Sequence, residues 1–228
     1  MYKQLKMNTI KLLAFAATMA VSMSVPAQTA STWSAIIGVS NVKPQVSSGN
    51  MSPPALQGTK VDVGSDTQPT LAAHYALHEN IGIELNVAAP FKEEIKGAGS
   101  IAGTGKLGSA EVLSPTLFAK YKFMDGTAAF RPYVGLGLSY SRFQKETGSG
   151  TLTALTNTGS ASPTTFTLDS AWSIAAQIGL TYALNEKYFI DANVTKTFLK
   201  TTAHFSSGQR QDITLDPLAI SIGIGYRF

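Results

Sequence analysis

Six charged residues sit inside segments that otherwise alternate between large apolar and small or polar side chains: Glu84, Lys120, Lys122, Arg131, Asp191 and Arg227. All six fall on the small or polar face, and His74 and Gln177 share it. Charges gathered in a narrow, poorly hydrated interior persist only when paired. The chemistry open to this set is therefore ionic. It forms either a plug against passage or a floor that fills and staples an interior. Other chemistry is scarce. The chain has no cysteine, and His74, His78 and His204 are too scattered for a metal site. No spacing gathers a nucleophile, a base and an orienting group. No catalytic residue, cofactor or metal is expected, and the chain is not expected to be an enzyme. Gly103-Thr104-Gly105-Lys106-Leu107-Gly108 matches G-x-G-x-x-G, but that motif needs a βαβ unit around it. Here it reads as a flexible surface loop.

The elements that carry these residues follow a period of two. The clearest is the last. From Leu218 to Phe228, the residues Leu218, Ile220, Ile222, Ile224, Tyr226 and Phe228 alternate with Ala219, Ser221, Gly223, Gly225 and Arg227. Similar segments are expected over 33–41, 67–77, 81–89, 112–123, 130–143, 169–184 and 188–200. Short turns are expected at 78–80, 124–129 and 185–187. Long loops are expected over 42–65, 92–111, 144–168 and 201–213, and the third of these is made of residues with little that could pack.

Eight strands with connections alternating long and short predict an all-β fold: an eight-stranded antiparallel up-and-down transmembrane β-barrel with long extracellular loops and short periplasmic turns. A strongly alternating strand that ends on an aromatic residue fits a wall that must close on its first strand. An interior of that size is filled by side chains or holds one slim ligand. Trp33, Tyr121, Phe123, Phe130, Tyr182, Tyr188, Tyr226 and Phe228 fall near the short-turn ends, as a periplasmic aromatic girdle would. The lumen glycines are expected to keep the bore narrow but unfilled. Pro90 ends the third strand and Pro115 begins the fourth, while Pro217 precedes the eighth. A proline removes a ladder hydrogen bond. Pro90 and Pro115 therefore either terminate strands at loop roots or weaken a seam that serves as a lateral exit.

Only 14% of residues are charged, against about a quarter in an ordinary soluble domain. The net charge of +4 owes three units to Lys3, Lys6 and Lys11; without them 15 bases face 14 acids, a net of +1. No nucleic-acid partner is expected. These lysines precede the apolar run 12–25 and the small-residue site Val25-Pro26-Ala27. Residues 1–27 read as a signal peptide and 28–228 as the barrel domain. A membrane anchor is the alternative reading of the first segment, although the run is short for one.

Several blocks together resemble the OmpW family of outer-membrane proteins. They are Ile81-Gly82-Ile83-Glu84-Leu85 with Ala89-Pro90-Phe91-Lys92, Leu113-Ser114-Pro115-Thr116, Phe130-Arg131-Pro132-Tyr133-Val134-Gly135-Leu136-Gly137, Leu215-Asp216-Pro217 and Gly225-Tyr226-Arg227-Phe228. The loops 42–65 and 144–168 are long for the family. The resemblance implies the outer membrane of a Gram-negative bacterium and a narrow, apolar bore. It further implies passive, cofactor-free, porin-like uptake of small hydrophobic molecules, with lateral release into the membrane. Implied partners are outer-membrane lipid and lipopolysaccharide, small hydrophobic ligands, and the barrel-assembly machinery, for which Phe228 is the assembly signal. A non-transporting barrel acting as a structural, adhesion, phage or bacteriocin receptor protein is the alternative. A secreted lipocalin-like carrier is disfavoured, because its apolar face would point inward.

Overall fold

A computed structural model describes residues 32–53, 55, 57–156 and 162–228; the expected signal peptide lies outside them. In chain order the strands are β1 (Trp33–Lys43), β2 (Ser47–Ser48), β3 (Thr59–Val63), β4 (Asp66–Ala76), β5 (Ile81–Ala88), β6 (Phe91–Gly99), β7 (Lys106–Leu113) and β8 (Thr116–Lys122). They continue as β9 (Phe130–Gly148), helix α1 (Gly150–Thr156), β10 (Phe166–Leu168), β11 (Ala171–Ala183), β12 (Tyr188–Phe198), β13 (Lys200–Phe205), β14 (Arg210–Thr214) and β15 (Leu218–Arg227).

Eight of these form a closed antiparallel barrel in the ring order β1, β4, β5, β8, β9, β11, β12, β15. Closure runs from Ser34 opposite Arg227 to Lys43 opposite Leu218. Closing the sheet on itself satisfies both of its edges, which a wall exposed to lipid requires. The alternation in sequence sets the two faces. Ile37 is 70% exposed and Leu136 66%, both on the outside, while Ile36 and Ser40 on the inner face of β1 are buried. So wide a belt of exposed Ile, Leu and Val is incompatible with water and matches a lipid-facing band. Aromatic pairs rim it. Trp33–Tyr75, Tyr188–Tyr226 and Tyr226–Phe228 lie 4.8–5.2 Å apart at the short-turn end. Tyr140–Trp172 lie 4.9 Å apart at the other.

The short turns are built by local side-chain bonds. Asn185 Oδ1 accepts from the N–H groups of Lys187 and Tyr188, an Asx turn. Asn80 Nδ2 donates to the carbonyls of Lys122 and Met124 and so joins two neighbouring turns.

The long connections depart from the expected loops. Most of 92–111 is the β6–β7 hairpin, most of 201–213 is the β13–β14 hairpin, and 42–65 carries β2 and β3. β9 continues past Phe143 to Gly148 and pairs with β7. The reason is a second alternation hidden among small residues. Thr59, Val61 and Val63 are buried and Lys60 and Asp62 exposed, and Phe91 and Glu93 face in while Lys92 and Glu94 face out. The third connection also packs, against expectation. Leu152 of α1 and Phe166 of β10 are 3% and 5% exposed. They join Met51, Val61, Ile101, Leu107, Phe205 and Ile213 in one apolar core beyond the membrane belt. The Gly-rich motif spans the tip of the β6–β7 hairpin and the start of β7, with Gly103 and Gly105 both at φ +84°. It is not a loose loop, because Leu107 is 2% exposed within that core.

Candidate functional site

The lower lumen is crossed by a chain of polar contacts. Lys120 Nζ lies 2.6 Å from Glu84 Oε1, with both side chains almost wholly buried. Glu84 Oε2 is 3.8 Å from His74 Nδ1, and Lys122 Nζ is 3.2 Å from His74 Nε2. An ammonium only donates, so Nε2 accepts and Nδ1 carries the hydrogen facing Glu84. On the opposite wall the Tyr133 hydroxyl donates to Asp191, 3.0 Å from either carboxylate oxygen, and Asn193 Nδ2 adds a bond of 2.9 Å. Lys120 Nζ stands 4.3 Å from the centre of the Tyr133 ring and links the two halves.

Four of the six expected floor residues, Glu84, Lys120, Lys122 and Asp191, therefore meet. Arg131 and Arg227 do not join them. Arg131 Nη2 donates to the carbonyls of Glu79 and Met124 at 2.8 and 3.1 Å. Arg227 Nη1 donates to the carbonyls of Asn185 and Glu186, and its guanidinium lies 4.9 Å from the Phe189 ring centre. Both arginines fasten short turns below the floor. Their position follows from register, since Ser34 opposite Arg227 is the last pair between β1 and β15.

Tyr133 and Asn193 complete the floor, and charge alone did not point to them. The available signal was parity, because both lie on the inward face of alternating strands. The lumen glycines also differ from expectation. A Cβ on Gly225 would strike the Phe189 ring, one on Gly179 the Tyr133 ring, and one on Gly137 the Phe118 ring. These glycines do not leave the bore unfilled; they make room for aromatic rings folded across it.

Above the floor lies a cavity of about 100 Å³. Its lower wall is rich in hydroxyls and amides, among them Ser40, Asn86, Thr116, Ser139, Asn193 and Thr195. Its upper wall is apolar, with Phe91, Val112, Phe143, Leu199 and Leu215. The bore is thus polar below and apolar only above. The apolar core built by the extracellular connections packs over it.

The wall of this cavity contains an interrupted ladder. Pairing of β5 with β8 runs from Ile81 opposite Tyr121 to Asn86 opposite Thr116 and stops. It resumes between β6 and β7 at Phe91 opposite Val112. Residues 87–90 and 113–115 lie between, with Pro90 and Pro115 among them. Each flank stays tied to its other neighbour, Ala89 N–H to Pro69 O and Tyr140 N–H to Pro115 O. Pro217 behaves differently. There the Thr197 N–H bonds Pro217 O, the Leu215 N–H bonds Leu199 O, and the wall continues. Phe228 ends the closing strand, with its N–H donated to Trp33 O at 3.1 Å.

Among the described residues no group of three or more His, Cys, Asp and Glu side chains could hold a metal ion.

Comparisons with known proteins agree with this architecture. The sequence model of the OmpW family matches residues 35–228. Outer membrane protein W of Vibrio cholerae is 34% identical over 174 residues, 75% of this chain and 77% of its own. The dibenzothiophene metabolism operon protein PahQ of Pseudomonas aeruginosa is 27% identical over 202 residues, 87% of this chain and 89% of its own. The crystal structure of the outer membrane protein OprG from Pseudomonas aeruginosa superposes with a TM-score of 0.76 at 32% identity, covering 86% of this chain and 95% of that one. A closed eight-stranded barrel with a lipid-facing belt and a family match across nearly all described residues leads to one statement: the chain belongs to the OmpW family and is a β-barrel of the Gram-negative outer membrane.

Proposed function

We propose that this barrel passes small hydrophobic molecules from the cell exterior into the outer membrane, with release sideways between β5 and β8. One observation carries the reading. The cavity is lined by both flanks of the interrupted ladder, Asn86, Ala88 and Phe91 on one side and Val112, Ser114 and Thr116 on the other. The Glu84–Lys120 and Tyr133–Asp191 contacts lie beneath it across the straight route. A molecule in the cavity thus faces a floor of buried, ion-paired and hydrogen-bonded groups below and an unpaired stretch of wall beside it. Displacing the floor exposes charges to a poorly hydrated bore, which is costly. Parting a stretch without ladder bonds breaks nothing in the sheet. The relation to a protein named for a dibenzothiophene metabolism operon supports an aromatic, poorly soluble cargo.

No protein group has to change its bonding or protonation for such passage, and the reading needs neither an energy source nor a cofactor. It places the partners in the bilayer: outer-membrane lipid and lipopolysaccharide around the belt, and small hydrophobic ligands within.

The test is a crosslink across the seam. The pair Ala88→Cys and Ser114→Cys, joined directly or by a short bismaleimide, is compared with its uncrosslinked form in a strain lacking the native protein. Uptake of a one-ring aromatic should fall at least fivefold on crosslinking, and for the disulfide it should recover on reduction. Undiminished uptake with the bond formed would sink the lateral route. Equal uptake with and without the protein would leave the receptor or structural role instead.

A further inference from the structure

The cavity holds one ionisable group among its described lining residues, and it is an acid. Glu93 of β6 faces inward between Phe91 and Ile95 and is 8% exposed. No described residue gives its carboxyl a hydrogen bond or an ion pair. In the floor below, Glu84, Lys120, Lys122 and Asp191 each have a side-chain partner, whereas the Glu93 carboxyl at the head of the cavity has none among the described residues.

We infer that Glu93 is the recognition group of the cavity, and that the cavity takes one-ring ligands carrying a protonated primary amine. The inference rests on the reading of the barrel as a conduit for small hydrophobic molecules and narrows its cargo.

Three observations carry it. First, the size of the site limits its ligand to a single ring, since its 100 Å³ fall short of the roughly 150 Å³ void that accepts one benzene in a protein core. Phe91, Phe143 and Phe118 line it and supply apolar surface for the hydrocarbon part. Second, its electrostatics have one sign. No Lys, Arg or His is among the described lining residues. Asp66 at the start of β4 is the charged neighbour that acts on Glu93, and its carboxylate is already occupied by the N–H groups of Thr67 and Lys92 and by Gln68 Nε2. Lys92, Glu94 and Glu111 lie on the opposite face of β6 and β7, with Glu111 paired to Lys145, and Arg142 of β9 is exposed. Third, the position is functional in depth. Glu93 is one inward step above the place where the ladder resumes, so a ligand held by it lies beside the unpaired wall. An ammonium supplies the donors that the carboxyl lacks, and a charge-assisted hydrogen bond is the strongest available here.

Burial, and then the neighbouring Asp66 carboxylate, push the Glu93 carboxyl up from its usual range to about 7. The ionised form that attracts a cation is therefore present above pH 7 and lost below it. Benzylamine stays protonated across that range. From pH 8 to pH 5 the ionised fraction of Glu93 falls from about 90% to about 1%, so the apparent affinity for an amine weakens by up to about a hundredfold.

The experiment measures binding of benzylamine, benzyl alcohol and toluene to the full chain in lipid nanodiscs, with empty nanodiscs subtracted, at pH 8 and pH 5. Benzylamine should bind at least tenfold more tightly than benzyl alcohol at pH 8, and the gap should close by pH 5. Toluene binding should not change with pH. Glu93→Gln should remove the amine preference and leave toluene within twofold. If that variant does not fold, the pH series on the unmodified chain decides. Toluene bound with no preference for the amine overturns the inference and leaves the conduit reading standing. A preference for the amine that survives in Glu93→Gln, or that does not change between pH 8 and pH 5, overturns it as well. Failure of all three probes to bind overturns both.

Discussion

Replacing Glu84 by Gln removes the negative partner of a lysine whose side chain is 1% exposed. At 2.6 Å, with an effective dielectric constant of about 20, the pair interacts by about 6 kcal/mol before desolvation is subtracted. Lys120 has other company, the face of the Tyr133 ring at 4.3 Å, but no second carboxylate within ion-pair distance among the described residues. The single change therefore strands a buried cation, and the expected loss is about 3–5 kcal/mol. Lys120→Met should cost a similar amount by stranding the carboxylate. The double variant Glu84→Gln, Lys120→Met removes both charges and should lie within about 1 kcal/mol of the parent. The assay is reversible guanidinium unfolding from lipid vesicles, followed by the fluorescence of Trp33 and Trp172, with all four proteins in one cycle. A coupling below about 1 kcal/mol would mean that water reaches the pair. The argument that the floor shuts the straight route would then fail, because a hydrated pair is no barrier to a solute that can follow the water.

Two smaller tests address neighbouring features. Gly225→Ala places a methyl group against the Phe189 ring and should cost about 1–3 kcal/mol in the same unfolding assay, but almost nothing further when made in a Phe189→Ala background; a neutral effect in the parent would mean that the ring is free to move aside. Phe228→Ala should lower the amount of folded protein in the outer membrane of living cells while leaving refolding into vesicles unchanged. An equal loss in both settings would assign the Phe228 ring to the wall, through its contact with Tyr226, and not to assembly.

The barrel itself was legible because lipid outside and packed side chains inside impose one constraint per residue, alternating without exception along Leu218–Tyr226. The extracellular half was less so. Thr59–Val63 and Phe91–Ile95 obey the same period, but their small and charged residues, next to prolines and glycines, read as loop composition. Phe166 gave no local sign that it would be buried, since its partners Leu152 and Phe205 are distant in sequence and come together only when the hairpins fold over the mouth. For the floor, parity supplied the face of each residue but not its depth. Arg131 and Arg227 share a face with Glu84 and Asp191, yet register sets them at the strand ends, where backbone carbonyls of the turns take their hydrogen bonds. Tyr133 and Asn193 were hidden for a different reason. A search by charge passes over neutral groups, although a buried carboxylate such as Asp191 needs donors of some kind.

The apolar core of Met51, Leu107, Leu152, Phe166 and Phe205 over the mouth is held together by a different solvent from the rest of the molecule. The wall stands in hydrocarbon, where ladder hydrogen bonds have no competitor. The roof stands in water, and its cohesion is the hydrophobic effect, which weakens on cooling and in chaotropes and strengthens with excluded osmolytes. The wall and the roof therefore answer to different variables. The packing over the mouth follows the temperature and solute content of the medium, while the barrel beneath keeps its shape.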